Sequence, residues 1–414
     1  MRIAFITPLY FPSVGGTQAW LDLLGKYLVS QGHEVRVYTS QRSRMEEPRI
    51  GHWRAIKHFP SDEIKNGVQI RRFPCGGWLE MLLGVARSAA GKLHLPFRGV
   101  FKDLYELRLT RSTRMLKALK DFKPDAILLK PYNASRLKLL LAAGRATGAS
   151  IFVHTALHVD APHSDLSRSE LALLGDCDGV FTNTEYERTF LTGCGVNAGN
   201  IHVTGVGIDT EVSATAHGEE NPLTEKLMRD LSGKKYVLYL GRKQEGKGIE
   251  ALIAAMEKVR VRFPEARLVL AGESTEFFER HILPLTAGKG YIDNVGRVEG
   301  ALKHRLFENA FIFAMVSRVD SFGLVYLEAW RFKKAVIGAD LGAMRCLIKE
   351  GDDGFLVPYG DADRLAVKIG ECFENPALAD GLGESGFAKL MGNYTAQKVA
   401  EKIEGLLKRT RHKA

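Results

Sequence analysis

Two short stretches carry the residue types from which anion and hydroxyl chemistry is built. The first spans residues 241–248 and reads Gly-Arg-Lys-Gln-Glu-Gly-Lys-Gly, with Arg242 and Lys247 as permanent positive charges. Glycines such as Gly241 let a backbone approach a phosphate, and a helix starting directly afterwards offers free N–H groups. The stretch matches seven positions of the phosphate-binding pattern G-x-x-x-x-G-K. The eighth, where Ser or Thr would hold Mg²⁺, is Gly248. The second stretch runs from Asp320 to Glu328, two acids eight residues apart that flank the Ser321-Phe322-Gly323 turn and a following helix. Carboxylates accept hydrogen bonds from sugar hydroxyls, and the helix start favours an anion. As plain structure, the same segment is an N-cap and a solvated helix carboxylate. Two further acid triplets, Asp176-Cys177-Asp178 and Asp361-Ala362-Asp363, fall at a helix-to-strand junction and at a helix cap. They are not expected to bind metal, and His154, His163 and His202 lack metal-ligand spacing.

These stretches need elements to hold them. Residues 2–8 read as a strand, 14–16 as a glycine turn, 17–31 as a helix and 34–39 as a second strand. The same order recurs with a strand at 235–240, the glycine loop, a helix at 249–262 and a strand at 267–271. Strands are also expected at 126–129, 151–155, 180–182 and 201–204, then at 311–314, 335–338 and 355–357. Alternating strands and helices predict an α/β chain with a doubly wound parallel sheet in each half. The expected division is a first domain at 1–210, a polar linker at 211–233, a second domain at 234–392 and a final helix at 393–414. Residues 75–122 fit this scheme poorly and read as a basic helical insertion in the first domain.

Length and composition agree with a multidomain globular chain: 414 residues, 45% hydrophobic and 26% charged. Five scattered cysteines, at 75, 177, 194, 346 and 372, give no disulfide or zinc spacing and suit a reducing, cytoplasmic setting. The first residues, interrupted by Pro8 and Pro12, do not read as a signal peptide, and no apolar run reaches the about 18 residues that a membrane helix needs. Residues 42–123 hold 18 Lys and Arg against 8 Asp and Glu, so the whole net charge of +10 lies there. Such an excess favours an anionic partner, of which a membrane surface is the expectation; as plain structure it is a solvated basic face. The aromatic interleaving of a nucleic-acid module is missing, so nucleic acid is not an expected partner.

In five places the chain resembles glycosyltransferase family four, whose fold is the two-domain GT-B type. They are the turn at 12–16 with its helix and the stretch 32–39; residues 155–160 with His158; residues 183–187 with 203–209; the loop at 241–248; and the segment 320–328. The family's usual E-x7-E begins with Asp320 here, and its later G-G-x-x-E turn is replaced by residues 341–346, which end in Cys346. The resemblance implies a retaining, metal-independent hexosyltransferase that uses a nucleotide diphosphate sugar and no other cofactor, with a glycan, lipid-linked or small-molecule acceptor. Arg242 and Lys247 would hold the diphosphate, Glu328 the ribose hydroxyls and Asp320 the transferred sugar. Gly15 and Gly16 would admit phosphate and sugar, and His158 would stand near the sugar's 6-hydroxyl, with His154 as the alternative histidine. Gly241, Gly272, Arg297, Ser321, Phe322, Gly323, Leu324 and Val325 would complete the donor site. Two other readings remain. One is a P-loop-like NTPase, suggested by the loop at 241–248; the other is a catalytically weakened GT-B binding protein, suggested by Asp320 and Cys346.

Overall fold

The computed structural model describes residues 1–12, 15–41, 59–73, 113–161, 166–211 and 222–410. The expected insertion at 75–122 therefore lies outside the described residues except for its end, where Thr113–Phe122 is a helix. His163 and Cys75 also lie outside them.

The strands of the first half are β1 Arg2–Ile6, β2 Glu34–Ser40, β3 Asp62–Lys65, β4 Val68–Phe73, β5 Ala126–Leu129, β6 Ser150–His154, β7 Gly179–Thr182 and β8 Ile201–Val203. They form one sheet in the order β3-β4-β2-β1-β5-β6-β7-β8. All neighbours are parallel except β3, which runs antiparallel to β4 at the edge. Central strands are apolar on both faces because helices cover both. In β5, Ala126, Ile127, Leu128 and Leu129 are all buried. The helix Gly16–Ser30 covers one face with Trp20, Leu21, Leu24 and Leu28 at helical spacing.

The second half carries β9 Tyr236–Leu240, β10 Arg267–Ala271, β11 Ile292–Gly296, β12 Ile312–Met315, β13 Ala335–Ala339 and β14 Phe355–Val357. Their order is β11-β10-β9-β12-β13-β14, parallel throughout. The order turns back beside β9, and the crevice at such a reversal is where a doubly wound sheet binds its ligand.

Strands β3, β4 and β11 and the helix Pro222–Leu231 stand where the sequence predicted no such element. β3 and β4 form a hairpin through Asn66 and Gly67, both at positive φ (51° and 77°). β11 is a half-exposed edge strand rich in polar residues. The helix Pro222–Leu231 occupies part of the stretch read as linker and buries Met228 and Leu231.

The last helix, Ala396–Thr410, buries Val399, Ala400, Ile403 and Leu407 and packs on the helix Gly16–Ser30 of the first half. Glu404 fixes that contact, accepting from Tyr27 Oη at 3.1 Å and pairing with His33 Nε2 at 2.8 Å. No helix among the described residues is long and apolar enough to cross a membrane.

Candidate active site

The C-terminal ends of the strands of both sheets open into one cleft, with a cavity of about 470 Å³. Its second-half wall includes Gly241, Arg242 and Lys247 after β9, and Ser321, Phe322, Gly323, Leu324 and Val325 at the start of the helix Leu324–Arg331. Asp320 and Glu328 line it too, as does Gly16 from the first half. Four basic side chains (Lys130, Arg242, Lys247, Lys303) face two acidic ones, so the cavity favours an anion.

Gly248 caps the helix Ile249–Arg262 at φ 72°, and a Cβ there would lie 2.2 Å from the backbone oxygen of Val316. A Ser or Thr in the Mg²⁺-holding place of a P-loop therefore does not fit this loop. The three N–H donors of Lys247 reach Asp320 Oδ1 at 2.9 Å, Ser317 Oγ at 3.1 Å and the Val319 carbonyl at 3.2 Å. These bonds hold the ammonium at the cavity wall. Arg242 is exposed at the mouth and makes no ion pair among the described residues, so its guanidinium remains available to an anion.

Asp320 pairs through one oxygen only. Its Oδ2 is buried with no hydrogen-bond partner. A buried acceptor left unpaired is costly, and a hydroxyl donor placed in the cavity would relieve it. Glu328 accepts from Lys303 Nζ at 2.6 Å. The pair steadies the Glu328 carboxylate at the cavity wall.

The first-half wall comes within van der Waals reach. A Cβ on Gly16 would stand 2.7 Å from Leu324 Cδ1 across the cleft. Ala156 lines the cavity at φ 53°, an uncommon backbone for a residue other than glycine. His158, two residues on, is exposed near Asp320 and Lys247. Although the side chain reaches solvent, the protein packed around the imidazole lowers its pKa, Asp320 raises it and Lys247 lowers it again, with the net shift downward favouring the neutral ring. His154, the alternative histidine, is completely buried and bonded to Asn183 and Lys130. Glu187 is buried behind it and accepts from Thr155 Oγ1 (2.6 Å), the Leu157 N–H (2.7 Å) and the Asn183 N–H (2.8 Å). Burial raises its pKa while these bonds lower it. Glu187 thus positions the ends of β6 and β7 beneath the cavity.

Four of the expected site residues do not line the cavity: His158, Gly15, Gly272 and Arg297. Gly15 precedes the first helix in extended backbone (φ 175°), beside Gly16. Gly272 packs on the loop's own backbone, where a Cβ would stand 1.8 Å from the Gly241 oxygen. Arg297 is exposed and paired with Glu299 Oε1 through Nε at 2.7 Å. Among the acid triplets, Asp176 pairs with Arg145 and Asp178 accepts from the Ile151 N–H; Asp361 caps a helix and Asp363 pairs with Lys258. Conversely, Lys130, Asn183 and Lys303 line the cavity without having been singled out for it. Lys130 and Asn183 directly follow β5 and β7. Asn183 heads the stretch 183–187 that carries part of the family resemblance, whereas the signal for Lys130 was position, since ligands of such sheets gather at carboxyl ends of strands.

Two Rossmann-like parallel sheets facing one anion-receiving cleft define the GT-B class of protein. The comparisons agree. A family model described as Glycosyltransferase Family 4 matches residues 14–212, and one described as Glycosyl transferases group 1 matches residues 228–389. The chain belongs to glycosyltransferase family 4. Phosphatidyl-myo-inositol mannosyltransferase of Mycolicibacterium smegmatis is 35% identical over 147 residues, which is 35% of this chain and 38% of that one. Glycogen synthase of Mycobacterium tuberculosis is 27% identical over 179 residues, 42% of each chain. Each match therefore spans less than half of the curated relative. Among solved structures, sucrose-phosphate synthase of Thermosynechococcus elongatus matches with a TM-score of 0.73 at 19% identity over all of both chains. Anabaena HepE in complex with UDP and glucose matches with a TM-score of 0.69 at 16% identity, over 99% of this chain and 100% of that one. Likeness at such identity is likeness of fold.

Proposed function

We propose that the chain is a retaining, metal-independent glycosyltransferase that moves a hexose from a nucleotide diphosphate sugar to a glycan or lipid-linked acceptor. The observation that carries this reading is the pairing of two cations, Arg242 and Lys247, with the unpartnered Asp320 Oδ2 in one cavity. Breaking a sugar–phosphate bond develops negative charge on the leaving diphosphate. Fixed cations in a narrow cleft stabilise it without reorganising, usually the largest catalytic contribution. In this reading those cations do the work a divalent metal does elsewhere. Asp320 Oδ2 accepts from a hydroxyl of the transferred sugar, and Glu328, steadied by Lys303, accepts from the ribose. The N–H groups of Phe322, Gly323 and Leu324 face sugar and phosphate, Gly16 leaves room for them, and neutral His158 donates to or accepts from the sugar from the first-half side.

One relative is named a mannosyltransferase and one solved neighbour is a complex with UDP and glucose, which supports a hexose carried on a nucleotide such as UDP; UDP- and GDP-hexoses are the candidate donors. The mannosyltransferase relative acts on a phosphatidyl-inositol, and together with the basic stretch at 42–123 it supports an acceptor at an anionic membrane. The test is a thermal-shift panel of UDP-, GDP- and ADP-sugars, followed by product analysis with the stabilising donor. One donor should raise the melting point, transfer should persist in excess EDTA, and the product anomer should match the donor's. Loss of transfer on chelation with recovery in Mn²⁺ overturns the metal-independent part; an inverted product overturns retention; no donor stabilisation overturns the whole reading.

A further inference from the structure

Lys130 is the basic residue of the cavity that the reading above does not use. It follows β5 on the first-half wall, while Arg242, Lys247 and Lys303 come from the second half. Only 2% of it is exposed, and it makes no ion pair among the described residues. Its Nζ lies 3.0 Å from Nδ1 of His154 and 3.2 Å from Nε2. Nε2 stands 2.8 Å from Asn183 Oδ1, an acceptor, so Nε2 carries the ring proton and Nδ1 accepts from Lys130. Asn183 Nδ2 continues the chain to the carbonyl of Ser321 across the cleft at 3.4 Å.

An imidazole takes a hydrogen bond from an ammonium but does not neutralise it. The groups that face the amine are His154 on β6 and Asn183 and Glu187 beyond β7. Glu187 acts on it only at a distance, with its oxygens turned to Thr155, Leu157 and Asn183. Burial pushes the lysine down to about 7, with Glu187 pulling upward. Burial and the neighbouring lysine hold His154 well below its usual value, so the imidazole does not compete for the proton.

We infer that Lys130 is a phosphate-oxygen contact of the cleft, and that seating a phosphate group against it draws one proton from solvent onto the amine. The inference rests on the glycosyl-transfer reading. The phosphate belongs either to the donor or to the acceptor, and the chemistry is the same. An anion within about 4–6 Å favours the charged lysine and raises its pKa. The sign follows: below the free value the amine is already charged and takes nothing up. Above the liganded value neither form is charged. Between the two, each binding event carries a proton, so affinity falls as pH rises from the free value to the liganded value and levels off above it.

The test is calorimetric titration of the intact chain with UDP and with GDP at about pH 8, in two buffers of different ionisation enthalpy. A second arm adds inorganic phosphate to the nucleotide-saturated protein. Wild type should take up about one proton, in the first arm if the donor supplies the phosphate and in the second if the acceptor does. Lys130→Met should abolish the uptake and weaken the same binding event roughly tenfold. Lys130→Arg, charged at every pH, should bind without uptake. Thermal melts check that both variants fold. Uptake that persists in Lys130→Met, or binding to wild type without uptake in either arm, overturns the inference while leaving the transferase reading intact. If UDP, GDP and phosphate all fail to bind wild type, the transferase reading falls and takes the inference with it.

Discussion

Lys247 already engages its three donors with Ser317, Val319 and Asp320, whereas Arg242 is free at the cavity mouth. The two cations are therefore not duplicates: in the proposed reading one is a fixed field and the other a side chain free to reach an anion. Removing either should lower turnover by about 10²-fold or more with the fold intact. Lys247→Ala has a second consequence, because it strips Asp320 of its partner and leaves both carboxylate oxygens in the cavity. Its loss should fall on donor binding as well as turnover, whereas Arg242→Ala should act mainly on turnover. Steady-state kinetics with circular dichroism checks both, and wild-type rates in either variant would remove the loop from the site. Asp320 invites the opposite experiment. Asp320→Glu lengthens the side chain by about 1.5 Å, one carbon–carbon bond. Oδ2 is unpartnered, so the longer acid should keep activity and shift the ranking of donor sugars. Competition between donors reads this out, and an unchanged ranking would mean that the sugar does not touch position 320.

The loop at 241–248 shows how an element restricts what a motif can mean. Gly248 has a positive φ and its Cα faces the Val316 carbonyl, so Gly248→Ser should destabilise the second half by about 1–3 kcal/mol. A lowered urea midpoint with an unchanged slope would show it. A neutral outcome would return the P-loop reading to contention. Central strands such as β1, β5 and β9 were legible because buried parallel strands are continuous apolar runs. The hairpin of β3 and β4 was not, although Asn66-Gly67 is a turn signal, because the edge strand β3 (Asp62, Glu63, Ile64, Lys65) shows almost no apolar pattern. β11 escaped for the same reason, with Asp293, Asn294 and Gly296 in it. At the site, Arg242, Lys247, Asp320 and Glu328 were readable because each pair lies close in sequence. Lys130 and Lys303 come from elements far apart in the chain and meet only when the sheets fold, so no local spacing announces them; Asn183 lay in a stretch that the family resemblance marked, without a role assigned to it.

At the scale of the whole molecule, the helix Ala396–Thr410 ties the end of the described chain to the helix Gly16–Ser30 through Glu404, Tyr27 and His33. The two halves are thereby joined through the helix Gly16–Ser30, whose first residue approaches Leu324 of the second half across the cleft. Charge is distributed less evenly than structure: the whole excess of +10 lies in residues 42–123. Most of that stretch falls outside the described residues, but it begins and ends on the first half, the half expected to face the acceptor. It also carries Trp78, Leu82, Leu83 and Phe97, apolar side chains suited to an interface. A basic and partly apolar stretch, in a sequence without an apolar run of membrane-spanning length, suits reversible attachment to an anionic bilayer, where each Lys or Arg near the surface contributes about 1 kcal/mol. If the apolar residues are core instead, the charge serves solubility alone. Salt separates the two, since attraction to a charged surface is screened as ionic strength rises. We expect co-sedimentation with anionic vesicles at low salt, release at high salt, and weaker binding after charge reversal at Arg108, Arg111 and Arg114. Equal binding to neutral and anionic vesicles, or binding to neither, would turn the argument toward a soluble acceptor and leave the basic stretch without a membrane role.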